Sequence, residues 1–376
     1  MKKIVLSFLF LIILGGVGLF VYNNYYKQIK SEAQNPQTQN NNNQHSPENL
    51  NIDAASLTFE QMPQAPWEGR DSGAAVVFKD KIWFMGGVDG TSRFVSPGNV
   101  DYGNAPHFSD VWNTEDGKTW TQVLKTAPWQ DRRSMSVEAF NNKLWLFGGW
   151  GPEIGTRNDI WSSVDGIKWT QEKKSADWAE REGQQAVIFK DKIWMMGGVK
   201  YSGQKLYNDV WSSSDGINWT QETAAADWSP RWDFYLTTFD DKLWVISGMD
   251  FNDNVNYGLL SDIWYSENGV DWTMATKEAP FAARQGGFAT DYNGRLFVIG
   301  RLNTPQYGSG PNDIWYSENG ADWHKTNQNP LWTGREDFGA VVFNGDIWIF
   351  GGMDKDWKWQ NDVWKSTVKE LSEPEQ

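Results

Sequence analysis

From Trp67 to Ser366 the chain repeats one pattern of apolar and polar positions six times. Each unit opens on an aromatic residue with Arg three positions later: Trp67/Arg70, Trp129/Arg132, Trp178/Arg181, Trp228/Arg231, Phe281/Arg284 and Trp332/Arg335. An apolar run follows, ending on Phe78, Phe140, Phe189, Phe239, Tyr292 or Phe343. After a short polar turn comes a second run, typified by Ile82-Trp83-Phe84-Met85-Gly86-Gly87, then a loop of variable length. Asn/Ser-Asp-Val/Ile-Trp opens a third run, at Trp112, Trp161, Trp211, Trp264, Trp315 and Trp364. Five units continue through a Ser-x-Asp-Gly-x-x-Trp-like stretch to Trp120, Trp169, Trp219, Trp272 and Trp323. The runs are short, rich in β-branched and aromatic residues, and separated by turn formers such as Asp165-Gly166 and Asn268-Gly269. That is strand and hairpin chemistry, and the 3.6-residue periodicity of a helical solenoid is absent.

Four consecutive strands per unit predict a meander sheet. Six such sheets at roughly 50-residue spacing predict an all-β fold, a six-bladed β-propeller over residues 55–368. The sixth unit stops after Asp362-Val363-Trp364-Lys365-Ser366 and lacks its fourth strand. Ser56-Leu57-Thr58-Phe59-Glu60-Gln61 precedes Trp67 as Trp120-Thr121-Gln122 precedes Trp129, so it is expected to complete the last blade. Closure of this kind joins the two ends of the folded chain and removes an open sheet edge.

The segment before the repeats is different in kind. Met1-Lys2-Lys3 leads into an uncharged apolar run from Ile4 to Tyr22, close to the length that spans a ~30 Å hydrocarbon core. Residues 1–26 are therefore expected to form one N-terminal transmembrane helix acting as a signal-anchor. A cleaved signal peptide is the rival, but its apolar stretch is normally shorter, and Gly16-Val17-Gly18 is a poor match to a cleavage site. Residues 27–54, with Asn40-Asn41-Asn42-Asn43, hold too few apolar side chains to offset the entropy of ordering and are expected to be a disordered Asn/Gln-rich linker. Residues 369–376 are expected to be a disordered tail. The propeller is then expected on the extracytoplasmic side of a cell membrane, as a single-pass protein.

Composition narrows the chemistry. A formal net charge of −14 argues against nucleic acid, whose phosphates need clustered Lys and Arg. The chain has no Cys, which removes disulfides, thiolate nucleophiles and Cys-ligated metals. The 25 Trp, none before Trp67, supply the core instead. No cofactor and no metal site is expected: the three His, His45, His107 and His324, are scattered, and Asp250-Phe251-Asn252-Asp253-Asn254 lacks the Gly and Glu spacing of a calcium loop. No phosphate-cradling Gly loop or nucleophile-base pair is visible.

The pairs Gly86-Gly87, Gly148-Gly149, Gly197-Gly198 and Gly351-Gly352, each followed by an aromatic and then a Trp, resemble the kelch motif, and the resemblance covers about residues 56–368. It departs from that motif in placing Trp where Tyr is usual in the third strand and in a longer gap to the final Trp. The longer turn, as in Ser163-Val164-Asp165-Gly166-Ile167-Lys168-Trp169, is similar to the Asp-box turn of sialidase-type propellers and is expected to staple a hairpin. The resemblance implies the fold more than an activity. Galactose oxidase carries such a propeller with a copper site that needs Cys, which this chain cannot build. A kelch-type sialic-acid mutarotase, exported and using polar side chains in the funnel, is similar in scaffold.

Strand direction places the variable loops 88–109, 150–157, 199–207, 249–260, 302–311 and 353–360 at one end, together with the aromatic-x-x-Arg elements. Binding normally resides on such loops. The candidate ligand contacts are Arg70, Arg132, Arg181, Arg231, Arg284 and Arg335, as a cationic ring or as buried partners of carbonyls and of nearby Asp71, Glu182, Asp233 and Asp337. Deviations from the repeat add Arg301, Glu138 and Asp291, and the loops add Trp150, Trp232 and Asp250. Asp89, Arg93, Asp101, Tyr102, His107, Tyr257, Tyr307, Trp357 and Trp359 are further candidates for one polar and aromatic pocket. The leading expectation is a non-catalytic recognition module for a glycan or an envelope protein. A carbohydrate-active enzyme such as a sugar epimerase or mutarotase, using Arg and Asp/Glu in the funnel, is the alternative.

Overall fold

In the computed structural model, residues 52–96, 99–251, 258–301 and 312–370 are described. The expected membrane segment, nearly all of the expected linker and residues 371–376 lie outside them. Among the described residues no helix is long and apolar enough to cross a membrane.

Six four-stranded antiparallel sheets make the propeller. Blade 1 comprises Ala74–Phe78, Lys81–Met85, Val111–Thr114 and Thr121–Leu124, in chain order from the axis outward, and blades 2 to 5 follow the same plan. The inner strand of each blade touches that of the next, and that of blade 6, Gly339–Phe343, touches that of blade 1. Blade 6 is finished by the chain's first strand. Ile52–Gln61 pairs antiparallel with Val363–Glu370 in a register that sets Thr58 against Thr367 and Phe59 against Ser366. Pairing begins at Ile52 and runs to Glu370, so the ordered ring is slightly longer at both ends than 55–368. Leu57 and Phe59 are buried, and Phe59 meets Trp332 edge to face at 4.5 Å.

Two kinds of turn define the end remote from the variable loops. Between the first and second strands, the two loop residues take positive φ, 51° and 56° at Lys79 and Asp80, 49° and 57° at Asn141 and Asn142. This is the turn whose twist matches the flanking strands. Between the third and fourth strands, Ser163 Oγ accepts from Gly166 N at 2.8 Å, while Asp165 Oδ1 accepts from Ile167 N and Lys168 N at 2.9 and 2.7 Å. Those backbone donors hold the Asp165 carboxyl below its ordinary range despite a little burial. The turn staples the hairpin, as its sequence implies.

The glycine of each such turn also joins two blades. A Cβ at Gly166 would lie 2.1 Å from Trp83 of blade 1, one at Gly216 2.7 Å from Trp145 of blade 2, and one at Gly269 2.0 Å from Trp194 of blade 3. Gly320 lies in the same way on Trp244, and Gly117 on Trp348 of blade 6. The flat indole of one blade is thus roofed by the bare backbone of the next. Only blade 5 has no such roof to meet, because blade 6 takes its outer strand from the N-terminal side, and there the repeated Trp is Phe297.

Gly166 and Gly155 separate two physical effects. Both have positive φ, 72° and 67°, but a Cβ at Gly155 has nothing within 4 Å. Gly155→Ala should cost about 1–2 kcal/mol of unfolding free energy for the left-handed conformation. Gly166→Ala should cost roughly 1–3 kcal/mol more for overlap with Trp83. Urea unfolding of both variants checks this; equal losses would show that the indole roof contributes nothing.

Candidate functional site

The six repeated Arg are buried in the frame. Each sits at 2% exposure or less and pairs with the Asp of the Asn/Ser-Asp-x-Trp element of its own blade, Asp110, Asp159, Asp209, Asp262, Asp313 or Asp362, with Nη1 to Oδ1 distances of 2.5–2.9 Å; the pair is two-pronged in every blade but the fifth, where Arg284 and Asp313 make an ion pair without that hydrogen-bond geometry. In five blades Nη1 also donates at 2.8–3.1 Å to the carbonyl sixteen residues on, that of Gly86, Gly148, Gly197, Ser247 or Gly351. The Trp two residues after the Asp donates its indole N–H to the same carboxylate at 2.7–2.8 Å in those five blades. Burial works against ionising Asp262, but the hydrogen bonds and charge of Arg231 outweigh it and hold the carboxyl below its ordinary range. These guanidinium groups are buried and engaged within their own blades. Asp71, Glu182, Asp233 and Asp337 are not their partners.

The residues that follow each Arg are the ones that reach the axis. Two positions on, Ser72, Ser134, Gly183, Asp233, Gly286 and Asp337 all have φ between 48° and 63°. Their backbones form a closed collar. Ser134 N donates to Ser72 O, Gly183 to Ser134, Asp233 to Gly183, Gly286 to Asp233, Asp337 to Gly286, and Ser72 N back to Asp337 O, at 2.6–3.3 Å. One position on, each blade contributes a different side chain: Asp71, Arg133, Glu182, Trp232, Gln285 and Glu336. In blades 1 to 4 an isolated β-bridge fixes this residue to the start of the variable loop, Asp71 to Val88, Arg133 to Trp150, Glu182 to Val199 and Trp232 to Met249.

The collar therefore carries a cluster of carboxyls around one guanidinium. Arg133 Nε stands 3.4 Å from Glu182 Oε2, with its guanidinium 4.3 Å from the Tyr102 ring centre and 5.3 Å from that of Trp150. Ser72 Oγ donates to Asp71 Oδ1 at 2.8 Å and lies 3.4 Å from Asp337 Oδ2, and the Trp359 indole donates to Asp71 Oδ2 at 2.7 Å. Gln285 Nε2 donates to Glu336 Oε2 at 3.0 Å. Tyr201 meets Trp232 edge to face at 5.2 Å and lies over Phe251. Burial, and then the charge of Asp337, push Asp71 up to about 7; burial pushes Asp337 up to about 6, although Arg133 and Ser72 pull the other way. Asp233 and Glu336 are raised by burial and by Asp337, and Glu182 by burial against the pull of Arg133. Burial drives His107 down to about 4, so this ring, 5.2 Å from Trp150, is neutral near pH 7.

Of the sequence candidates, Trp150, Trp232, Tyr102, His107 and Trp359 converge here. Arg301 does not; it is buried beside the Arg284–Asp313 pair and Tyr235. Glu138 lies on the inner strand Ser136–Phe140, opposite Trp145 and four residues beyond the collar, where burial pushes it up to about 8. Asp291 is at the far end of the propeller, exposed, accepting from Gly294 N at 3.1 Å. Asp250 bonds through its backbone to Gly258 O at the neck of its loop. Asp89, Arg93 and Asp101 tie the 88–109 loop to itself. Exposed Phe94 and half-buried Trp357 form an aromatic pair of the outer loops at 5.9 Å. Tyr257 and Tyr307 lie outside the described residues. Sequence reading missed Arg133, Tyr201, Gln285 and Glu336 as site residues. The signal for Arg133, Gln285 and Glu336 was the contrast between the repeated Arg and the position after it, which differs from blade to blade; Tyr201 is an aromatic of the variable loop 199–207. Among the described residues no group of three or more His, Asp or Glu is placed to hold a metal ion.

The raised carboxyls make stability depend on pH. A carboxyl held above its unfolded value keeps its proton longer in the folded chain, so its contribution is complete at low pH and is lost as pH rises from about 4 through about 6 to 7. Asp337→Asn keeps the shape and suits φ of 55°, and it also relieves Asp71, Asp233 and Glu336. Relative to the parent, the variant should gain on the order of 1 kcal/mol at pH 8 and nearly nothing at pH 4.5. Thermal unfolding at the two pH values measures it, and a pH-independent difference would refute the assignment.

Residues 334–365 match the Kelch motif family model. No curated protein sequence matches the chain. The solved structure titled "Structure of YjhT", itself a kelch-type propeller, superposes with a TM-score of 0.62 at 16% identity, covering 82% of this chain and 99% of that one. At that identity the likeness concerns the fold. With a Kelch motif in its sixth blade and five more blades of the same plan, the chain is a kelch-type six-bladed β-propeller.

Proposed function

We propose that this propeller is a recognition module, held outside a cell membrane by its N-terminal apolar segment, that binds a small glycan in the axial funnel of its loop-rich end. One observation carries the reading: side chains from all six blades meet above the backbone collar, with polar groups at the centre and Tyr102, Trp150, Tyr201 and Trp232 around them. Sugars are bound by that combination, since carboxyl and amide groups fix hydroxyls while aromatic faces cover the C–H surface of the ring. The propeller scaffold adds rigidity, because Asp71, Arg133, Glu182, Trp232, Gln285 and Glu336 sit next to locked Arg rather than on free loops.

A sugar epimerase or mutarotase is the second reading. It is favoured by Asp71 and Asp337, whose values near neutrality beside Arg133 suit proton transfer to and from a sugar oxygen.

A glycan array should give at least one ligand whose binding falls about tenfold or more in Trp150→Ala and in Trp232→Ala, with melting temperatures within a few degrees of the parent. An array blank for the parent protein sinks the glycan reading. If a ligand is found, the rate of its anomeric interconversion with and without protein decides between recognition and catalysis.

A further inference from the structure

We infer that the funnel selects sugars bearing a protonated amine, hexosamines with a free amino group, over neutral and anionic sugars; this rests on the glycan reading above and specifies its ligand.

The first argument is charge. Among the described residues, Asp71, Glu182, Asp233, Glu336 and Asp337 face a single cation, Arg133, and that cation is already engaged by Glu182 and covered by the faces of Tyr102 and Trp150. The partners of the remaining carboxyls are neutral: Ser72 and Trp359 for Asp71, Ser72 for Asp337, Gln285 for Glu336. A ligand carboxylate entering this space would meet like charge, and a neutral sugar would leave the imbalance as it is. An ammonium group balances it with three N–H donors on one atom.

The second argument is independent of charge. Gln285 is 9% exposed, and its Oε1 is a buried acceptor with no hydrogen-bond partner. With Glu336 ionised the amide keeps this orientation, because its Nε2 is the group that donates to Glu336 and the reverse orientation would set two acceptors against each other. A buried acceptor left without a donor is costly, about 1–3 kcal/mol, and a ligand donor brought to it would remove that cost. Once ionised, the carboxyls are like the orphan carbonyl in accepting hydrogen bonds and donating none. The missing partner is a group rich in donors.

The third is the rim. Trp232 and Tyr201 present π surface beside the carboxyls, and an ammonium between a carboxylate and an indole face is stabilised by both. The net charge of −14 extends the attraction beyond the pocket. Without ligand the cluster retains protons, as the upward displacement of Asp71 and Asp337 indicates. A bound ammonium favours the ionised forms, so binding should release protons and strengthen as pH rises from 5.5 to 7.0. The titratable groups that take part are Asp71, Asp233, Glu336 and Asp337, with Glu182, Arg133, Tyr102 and Tyr201 bordering them.

The test is calorimetric titration of the propeller with glucosamine, galactosamine and mannosamine, each beside its N-acetyl form, its neutral parent hexose and its uronic acid. At least one free hexosamine should bind about tenfold or more tightly than its three counterparts at pH 7.0, and more weakly at pH 5.5. Glu336→Gln and Asp233→Asn should each erase most of that preference; two variants are used so that one failing to fold does not decide the matter. If N-acetyl or neutral sugars bind as well as the free amine, the selectivity is refuted while the glycan reading stands. If nothing on this panel or on the array binds, both fall.

Discussion

The buried guanidinium at the inner end of each blade is the interaction on which the rest of the molecule depends. Three pieces of the repeat that are far apart in sequence meet there: the aromatic-x-x-Arg crossing, the Gly-Gly end of the second strand, and the Asp-x-Trp start of the third. The Arg reaches the carbonyl of the second strand and the carboxylate of the third at once, so it fixes the spacing of both relative to the chain entering the blade. A charge pair this deep is justified only because its donors and acceptors are nearly all used, and removal of either member would strand the other at a cost of about 3–5 kcal/mol. The next glycine then passes close to the following blade. Gly87 N donates to Arg132 O of the following blade, and a Cβ at Gly86 would stand 2.9 Å from that same carbonyl, so this seam has no room for a side chain at Gly86.

That lock explains why the candidate site lies where it does. With the Arg immobile, the residue after it has a fixed backbone and a free choice of side chain, and the residue after that must turn through positive φ to hand its N–H around the collar. Structure therefore uses one position and leaves its neighbour to function. Six such neighbours, roughly 50 residues apart in the chain, stand around one axis. Opposing demands are kept apart by a single residue step, which is why a strongly acidic pocket can sit against a frame full of paired charges.

The fold was legible because it is repeated. Six copies of one apolar pattern, and a seventh strand-like fragment with no partner, leave little choice but a ring closed by Ile52–Gln61 on Val363–Glu370. The Asp165-type turns were legible too, since their hydrogen bonds are local. The site was not. The six Arg stood out in the sequence because they recur, and recurrence is the mark of the frame, whereas Arg133, Gln285 and Glu336 each occur once and look like ordinary loop residues. Ser72 and Asp337 are separated by 265 positions, yet Ser72 N donates to Asp337 O, a proximity that closure of the ring creates and no local pattern announces. Trp150 and Trp232 were found because an aromatic residue in a loop is conspicuous by itself.

Blade 5 is where the rules relax together, and the relaxations have related causes. Its opening aromatic is Phe281, its second glycine is Arg301, and its outer-facing Trp is replaced by Phe297. The Arg284–Asp313 pair persists at 2.9 Å, but the indole of Trp315, which in every other blade binds the carboxylate, has no partner. Phe297 follows from topology: its neighbour, blade 6, has no third-to-fourth turn and hence no glycine to lie on an indole. Arg301 is a different matter, since it adds a second buried guanidinium beside the first, and the proximity of Arg284 together with burial lowers its affinity for a proton. A blade whose lock is less complete, next to the seam where the chain ends are joined, is the place where the ring is weakest. The same blade supplies Gln285, whose Nε2 donates to Glu336 of the carboxyl cluster while its buried Oε1 has no partner, so the least complete lock of the frame and an unmet acceptor of the site share one strand entry.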